Sequence, residues 1–146
     1  MPGITVGVDG SGHSERALEW AVKEAATWHA PLTVLAVHPV AAGHWTGNPV
    51  TYPEADEPET EQTRKAAQEA TQKVIDQVGG PGPASVAVRA VSGLPAQELI
   101  NASADADLVV VGARGGGGFP KLILGSVSGQ VVHHAACPVV VVRGDG

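Results

Sequence analysis

A glycine-rich segment near the C-terminal end of the chain carries the clearest signal for chemistry. Residues 112–129 read GARGGGGFPKLILGSVSG, between an apolar run and the start of a predicted helix. Gly112 and Gly115 permit positive φ angles and a close approach of a ligand to the backbone. The amides at the start of a helix have no intrahelical partner and attract anions, so the segment predicts a phosphate cradle. The cradle would comprise Gly125, Ser126, Val127 and Ser128, with hydroxyl donors on the two serines.

The motifs of several other phosphate-binding or catalytic sites are absent. The sequence contains no G-x-x-x-x-G-K-[ST] P-loop, no G-x-G-x-x-G after the first apolar run and no G-x-S-x-G nucleophile elbow. Residues 90–93 read AVSG and supply no aspartate for a phosphoacceptor domain. Arg114 and Lys121 lie in the glycine-rich segment and can add positive charge or be solvated. Without a carboxylate pair or a Ser–His–Asp set at the predicted site, nothing predicts catalysis.

The whole chain alternates between apolar runs and helical periodicity. We predict strands over residues 4–9, 32–38, 85–91, 108–111 and 138–143. We predict helices from Ser11 or Ser14 to His29, and over residues 59–78, 95–103 and about 124–136. Strands that alternate with helices predict an α/β fold, with a parallel sheet covered on both faces. Ligands of such folds bind beyond the carboxyl ends of the strands, which here bear residues 9–11, 37–39 and the glycine-rich segment.

Two features near these strand ends leave alternatives open. Asp9, at the end of the first strand, can contact a bound ligand or can cap the turn that follows it. Residues 39–58 are rich in proline and have little periodicity. They predict either a flap over the site, with Trp45 and Tyr52 near the ligand, or a surface insertion.

The glycine-rich segment resembles the nucleotide-binding motif of the universal stress protein family, G-x2-G-x9-G-[ST]. Gly112, Gly115, Gly125 and Ser126 stand at its four defined positions without departure. The opening VGVDGSGHSERALEWA resembles the first strand and helix of that family, and the ending HHAACPVVVVR resembles its last helix-to-strand passage. The resemblance extends over the whole chain, so we expect residues 1–146 to form a single domain of this family.

The resemblance implies a three-layer α/β/α sandwich whose five parallel strands take the order 3-2-1-4-5, the adenine nucleotide alpha hydrolase-like fold. It also implies ATP or a related adenine nucleotide as cofactor, often with a divalent metal such as Mg²⁺. By position, Asp9 would lie by the adenosine, the Val37 backbone would read the adenine edge and Gly112 would lie by the ribose. Arg114 falls within the motif, at a position where the residue type varies in the family. The phosphates would contact Gly115, Gly125, Ser126, Val127 and Ser128.

A run of four valines near the C-terminal end predicts an association surface. A strand of this composition at the edge of a sheet would expose apolar side chains and unpaired backbone groups. A partner strand would cover both, and the resemblance implies a homodimer in which the fifth strands pair. Burial under the helices of the same chain is the alternative, although it would leave the edge open. The residues of the predicted interface are Val139, Val140, Val141 and Val142.

The composition excludes several classes of partner. The net charge of −6 repels DNA phosphates and anionic lipids, and an aromatic content of 3% offers few stacking platforms for bases. We therefore expect neither nucleic acid nor membrane as a partner.

No basic, apolar leader opens the chain, which predicts a cytoplasmic location. Cys137 is the only cysteine, so no internal disulfide can form, and we do not expect it to bind a metal with His133 and His134.

These observations favour a binding module over an enzyme: a cytoplasmic dimer that binds ATP in a stress response, as a nucleotide sensor or by engaging an unknown protein partner. Three alternatives stay open. The first is a slow ATPase or a phosphotransfer protein, with Ser126 or Ser128 beside the γ-phosphate. The second is a sensor of AMP or cyclic AMP at the same site. The third is a dimeric scaffold with an empty site, against which the intact motif argues.

Overall fold

Five parallel strands form one sheet at the centre of the molecule. The computed structural model describes residues 3–39, 57–113 and 125–143. The strands are β1 (Ile4–Val8), β2 (Pro31–Pro39), β3 (Ser85–Gly93), β4 (Leu108–Gly112) and β5 (Val139–Val142). The helices are α1 (Gly12–Trp28), α2 (Glu57–Val78), α3 (Pro95–Ser103) and α4 (Ser126–His134). The sheet order β3-β2-β1-β4-β5 confirms the predicted α/β fold and the order 3-2-1-4-5.

Two hydrophobic clusters bury the apolar residues, one on each face of the sheet. On one face, α1 and α2 cover a cluster that includes Val6, Val34 and Val110. On the other face, α3 and α4 cover a cluster that includes Leu35 and Val109. Because successive residues of a strand point to opposite faces, the central strands need apolar side chains at nearly every position. This requirement explains the continuous apolar runs in their sequences.

The first helix begins at one of its two predicted caps. Ser11 is the N-cap of α1, and its Oγ accepts a hydrogen bond from the Ser14 amide at 3.2 Å. At the other end His29 adopts a left-handed conformation, with φ 52° and ψ 45°. The Ala30 amide then bonds back to the Ala25 carbonyl at 2.8 Å, which closes the last turn.

Helix α2 is 22 residues long and ends at Val78, as the glycine and proline run after it predicted. The Gly79 amide still donates to the Ile75 carbonyl at 2.9 Å, and Gly79 and Gly80 then both take positive φ angles. None of the helices in the described ranges combines the length and the apolar content that a membrane span requires.

Some elements differ from their predicted bounds. Helix α4 spans Ser126–His134 rather than residues 124–136, and Gly125 and Ala135 flank it in extended conformations, with ψ of 168° and 147°. Strand β3 continues past residue 91 to Gly93, because it pairs with β2 as far as Pro39. Helix α2 begins at residue 57 instead of residue 59. The predicted flap, residues 39–58, lies mostly outside the described residues.

Candidate functional site

A cleft of about 570 Å³ opens at the carboxyl ends of β1, β2 and β4. This is the edge at which doubly wound α/β folds bind their ligands. Helix α2 forms one wall of the cleft, and α3 contributes Pro95 and Leu99 to the opposite side. Five of the predicted site residues line this cleft: Asp9, Val37, Gly112, Val127 and Ser128.

The other predicted site residues divide into two groups. Gly125 and Ser126 begin α4 beside the lining residue Val127. Arg114 and Gly115 lie outside the described residues, and so do Lys121, Trp45 and Tyr52. The described site residues come from both ends of the sequence, and the parallel sheet brings them to one edge.

Asp9 caps the turn between β1 and α1. Its Oδ1 accepts a hydrogen bond from the Ser11 amide at 2.8 Å. Its own amide donates to Ser14 Oγ at 3.2 Å. Of the two roles predicted for Asp9, the capping role is therefore present in the structure, while contact with a nucleotide stays a prediction. Both roles are compatible, because Asp9 also lines the cleft.

Ser14 contributes more to this turn than its sequence position suggested. Its side chain is buried, and its Oγ donates to the Ser11 carbonyl at 3.1 Å while it accepts from the Asp9 amide. The sequence offered Ser14 only as an alternative helix cap. Its actual contact is with the residue that precedes the turn, so Ser14 holds the Asp9 backbone at the cleft.

Strand β2 extends beyond β1 at the cleft. The pairing of β1 with β2 ends at Val8 and Ala36, whereas the pairing of β2 with β3 continues to Pro39. Among the described strands, Val37 therefore has a ladder partner only in β3. A backbone edge without a second strand offers amide and carbonyl groups to a ligand. The position of Val37 thus fits the predicted contact with an adenine edge.

Helix α2 forms a cleft wall that the sequence did not indicate. Its residues that face the cleft are small: Thr63, Ala66, Ala67 and Ala70. Thr63 Oγ1 lies 3.4 Å from His38 Nδ1. One turn earlier, Thr60 Oγ1 lies 3.2 Å from Ser92 Oγ. His38 and Ser92 are ladder partners, so these two contacts anchor α2 to neighbouring strand ends. The i, i+3, i+4, i+7 spacing of the small residues was the available signal, and it predicts a core stripe equally well.

Gly112 ends β4 close to the first turn of α1. A Cβ atom at this position would lie 2.8 Å from both the carbonyl carbon and the carbonyl oxygen of His13. Gly112 is not among the described glycines with positive φ, so of the two properties that glycine permits, the structure uses the close approach of the backbone. The physical requirement for glycine is space for the α1 backbone.

The start of α4 has no side-chain cap. Gly125 at the N-cap has no side chain to accept from the first-turn amides, and the first turn contains no acidic residue. By contrast, α1 has the Ser11 cap and Glu15 in its first turn. The dipole of α4 is therefore not compensated by an acid in its own first turn, which favours an anion there.

The two predicted hydroxyl donors of α4 point in different directions. Ser126 is exposed, and its hydroxyl has no hydrogen-bond partner within the described parts of the chain. Ser128 is buried, and its hydroxyl donates to the Ala113 carbonyl at 2.9 Å. The Ser128 hydroxyl is thus engaged within the protein, whereas its backbone amide stays a candidate phosphate donor.

The residues around the end of α4 do not form a metal-binding cluster. The described ranges contain no group of three or more His, Cys, Asp or Glu side chains that could hold a metal ion. Burial raises the pKa of the Cys137 thiol, and a hydrogen bond from the Val109 backbone opposes this effect only in part. The thiol is therefore protonated at neutral pH and is a poor nucleophile.

Together these features suit a ligand with a polar planar end and an anionic end. The planar end would meet the free backbone edge of β2, and the anionic end would meet the start of α4. The titratable side chains that line the cleft in the described ranges are those of Asp9, Glu15 and His38. The Thr63 hydroxyl lies beside the last of these, with its Oγ1 3.4 Å from the His38 Nδ1.

Comparison with known families gives one consistent result. The model of the universal stress protein family matches residues 2–143. A universal stress protein of Mycolicibacterium smegmatis is 39% identical over 145 residues, which cover 98% of this chain and 48% of the relative. A universal stress protein of Mycobacterium tuberculosis H37Rv is 36% identical over 144 residues, with the same coverage of 98% and 48%. The chain thus spans about half the length of these curated relatives.

Solved structures of universal stress proteins share the fold. UspA from Lactobacillus plantarum superposes with a TM-score of 0.74 at 26% identity, over 97% of each chain. A universal stress protein in complex with cAMP has a TM-score of 0.68 at 24% identity, over 98% of this chain and 97% of its own. An Archaeoglobus fulgidus protein in complex with dAMP has a TM-score of 0.59 at 23% identity, over 95% of each chain.

Proposed function

Because this chain belongs to the universal stress protein family, we propose that its cleft binds an adenine nucleotide, with ATP and a divalent cation such as Mg²⁺ as the ligand. One observation carries the proposal. The Asp9 turn, the end of β2 without a β1 partner, and the uncapped start of α4 meet at one edge of the sheet. These groups match the polar edge of a base at one end and phosphates at the other.

In this proposal the nucleoside lies across the ends of β1, β2 and β4. The Val37 backbone would pair with the adenine edge, Asp9 would lie by the adenosine, and Gly112 would leave room for the ribose. The apolar lining supports such a placement, because Leu35 and Leu99 lie in the same cleft. An adenine ring is flat and mostly apolar on its faces, so it gains from contact with such side chains.

The phosphates would lie at the glycine motif and the start of α4. The amides of Ser126, Val127 and Ser128 are the first-turn donors there. Gly115 and Gly125 would allow the close approach that the motif requires. The proposal assigns no set of protein ligands to the divalent cation, which would bind through the phosphate oxygens and offset their charge near Asp9 and Glu15.

A second candidate ligand is a mononucleotide such as AMP or cyclic AMP. Two proteins of this fold are described in complexes with cAMP and dAMP. The inward direction of the Ser128 hydroxyl also favours this alternative, since it leaves fewer side-chain donors for a long phosphate chain. The adenine end of the site would be the same for both ligands.

For the molecule as a whole, we propose a cytoplasmic homodimer that acts in a stress response. Bound nucleotide would set its state, and a protein partner would read that state. Pairing of β5 strands would form the dimer. Binding, rather than turnover, is the proposed activity, because the cleft offers a backbone edge that suits a base and an uncapped helix start that suits phosphates.

The proposal is tested by calorimetric titration of the ligand-stripped protein with ATP and Mg²⁺, and in parallel with AMP and cyclic AMP. We expect one site per chain. Gly115→Val should abolish binding without lowering the thermal unfolding temperature, because its side chain would fill the phosphate space. Gly116→Val is the matched control in the same loop and should bind as the wild type does.

Each other outcome has a defined meaning. No heat and no thermal shift with any of these nucleotides would refute the proposal. Tighter binding of AMP or cyclic AMP than of ATP would favour the mononucleotide alternative. Phosphate release that persists through purification and disappears in Gly115→Val would instead indicate a slow ATPase. Wild-type affinity in a folded Gly115→Val variant would show that the glycine motif is not the site.

A further inference from the structure

We propose that Ser128 is a positioning residue, which ties the end of β4 to the start of α4, and that its hydroxyl does not bind phosphate. The effect of Ser128 on nucleotide affinity rests on the proposed nucleotide-binding function. Its hydrogen bond to the Ala113 carbonyl does not depend on a ligand. Ser126 and Ser128 thereby have different roles, although the sequence predicts both hydroxyls alike as phosphate donors.

The hydrogen bonds around Ala113 carry the inference. The Ala113 carbonyl accepts two of them, from the Gly125 amide at 2.6 Å and from Ser128 Oγ at 2.9 Å. The Ala113 amide donates in turn to the Val142 carbonyl at 2.8 Å. A single peptide position therefore joins β4, β5 and α4 at the edge of the cleft.

The burial of Ser128 shows that its hydroxyl belongs to this junction. The residue is only 2% exposed, and its oxygen also lies 3.2 Å from the Gly125 carbonyl. A hydroxyl has one proton to donate, and the Ala113 carbonyl is its nearer acceptor. Both contacts of the Oγ are with carbonyl oxygens of the protein, so the hydroxyl has no proton left for a phosphate.

Ser126 provides the contrast within the same helix turn. It is exposed, and among the described residues its hydroxyl makes no hydrogen bond. Ser126 can therefore turn its hydroxyl toward an anion at no cost to the fold, whereas Ser128 would first have to break a buried bond.

The hydrogen bond from Ser128 to Ala113 matters because it joins the two ends of the chain segment that contains the glycine motif. Gly112 lies immediately before Ala113, and the Gly125 amide bonds to the same carbonyl as Ser128 does. Loss of the Ser128 hydroxyl would leave Gly125 as the remaining donor to that carbonyl. The two halves of the motif, at Gly112 and at Gly125, would then hold their relative position less firmly.

The test compares Ser128→Ala with Ser126→Ala in the ligand-free protein and then with ATP. In the ligand-free protein, NMR-detected hydrogen exchange of the Gly125 amide should be about tenfold faster in Ser128→Ala and unchanged in Ser126→Ala, because only the first loses the second donor at Ala113. Both variants should bind ATP more weakly. Ser128→Thr, which restores the hydroxyl, should recover both slow exchange and affinity.

Three results would overturn the inference. Weaker ATP binding by Ser128→Ala with unchanged Gly125 exchange would make Ser128 a phosphate donor. Unchanged Gly125 exchange and unchanged ATP affinity in Ser128→Ala would show that the Ser128 hydroxyl has neither role. If Ser128→Ala did not fold, fast exchange of the Gly125 amide in Ser128→Thr would show that the hydroxyl at position 128 does not hold β4 and α4 together. Absence of ATP binding by the wild type would refute the proposed function, but the exchange measurements on the ligand-free protein would still decide the role of Ser128.

Discussion

At the scale of single residues, Gly112 governs how closely β4 approaches α1. Its backbone conformation does not require glycine, because its φ is not positive. Its constraint comes from the His13 backbone, which leaves no space for a Cβ atom. The absence of a side chain at Gly112 therefore serves the packing of β4 against α1.

Gly112→Ala should destabilise the protein by about 1–3 kcal/mol, the usual cost of forcing an extra carbon into a packed site. The cause is the 2.8 Å approach of the new Cβ to the His13 carbonyl group. Urea denaturation measures the change in the free energy of unfolding.

Gly129→Ala is the matched control for this substitution. Gly129 lies inside α4, and apart from the backbone of this helix and the neighbouring residues, no atom lies within 4 Å of a Cβ built there. Alanine is the better helix former, so this variant should be more stable than the wild type by up to about 1 kcal/mol. A Gly112→Ala protein as stable as the wild type would show that the approach of β4 to α1 is looser than the structure indicates.

At the scale of the secondary-structure elements, the two ends of α1 differ in how well their sequence suits them. The N-terminal end has Ser11 as a side-chain cap and an acid, Glu15, in the first turn. The C-terminal end places His29 in a left-handed conformation, where glycine is usual. An L-residue with a Cβ atom is strained there, so this end of the helix lowers the stability of the fold.

His29→Gly should therefore raise the free energy of unfolding by about 0.5–1 kcal/mol, since the relief of strain exceeds the added flexibility of the unfolded chain. His29→Ala removes the imidazole and keeps the strain, so it should give no such gain. The free energies come from chemical denaturation of both variants. A less stable His29→Gly protein would mean that the imidazole itself supports the helix end.

At the scale of the whole molecule, the sheet has two edges, β3 and β5, and they differ in composition. Strand β3 contains Arg89 and two serines, whereas all residues of β5 are valine. The Val109 amide of β4 and the Ala113 amide just after β4 donate to the carbonyls of Pro138 and Val142, so these two carbonyls face β4. Because the backbone direction alternates along a strand, the amides of Val139 and Val141 face the outer edge.

Val141→Pro should convert the proposed dimer into a monomer, because it removes an outward amide without touching the bonds to β4. Proline is tolerated at such an edge position. Val141→Thr keeps the amide and the branched shape, and should remain dimeric. Sedimentation velocity gives the mass of each variant, and thermal unfolding confirms that both fold. A Val141→Pro dimer would exclude pairing through β5, and a monomeric wild type would exclude the dimer.

Local sequence patterns were sufficient to predict the succession of elements and the edge of the sheet at which the cleft opens. Apolar runs such as residues 108–111 have no polar face, so they predict strands buried on both sides, and the helices between them require parallel connections. The cap at Ser11 was also predictable, because it depends on contacts within four residues. The order of the strands came from the family resemblance, since periodicity within a strand carries no information about its neighbours.

The contacts that the predicted site residues make within the protein could not be predicted from the sequence. Ser126 and Ser128 are predicted alike as hydroxyl donors at the start of α4, yet Ser126 is exposed and Ser128 bonds to Ala113, 15 positions away in the chain. The free end of β2 depends on where β1 stops, and the role of Gly112 depends on the position of His13. The physical reason is the same in each case: the direction and freedom of a group depend on the backbone that lies opposite it, which local sequence patterns do not encode.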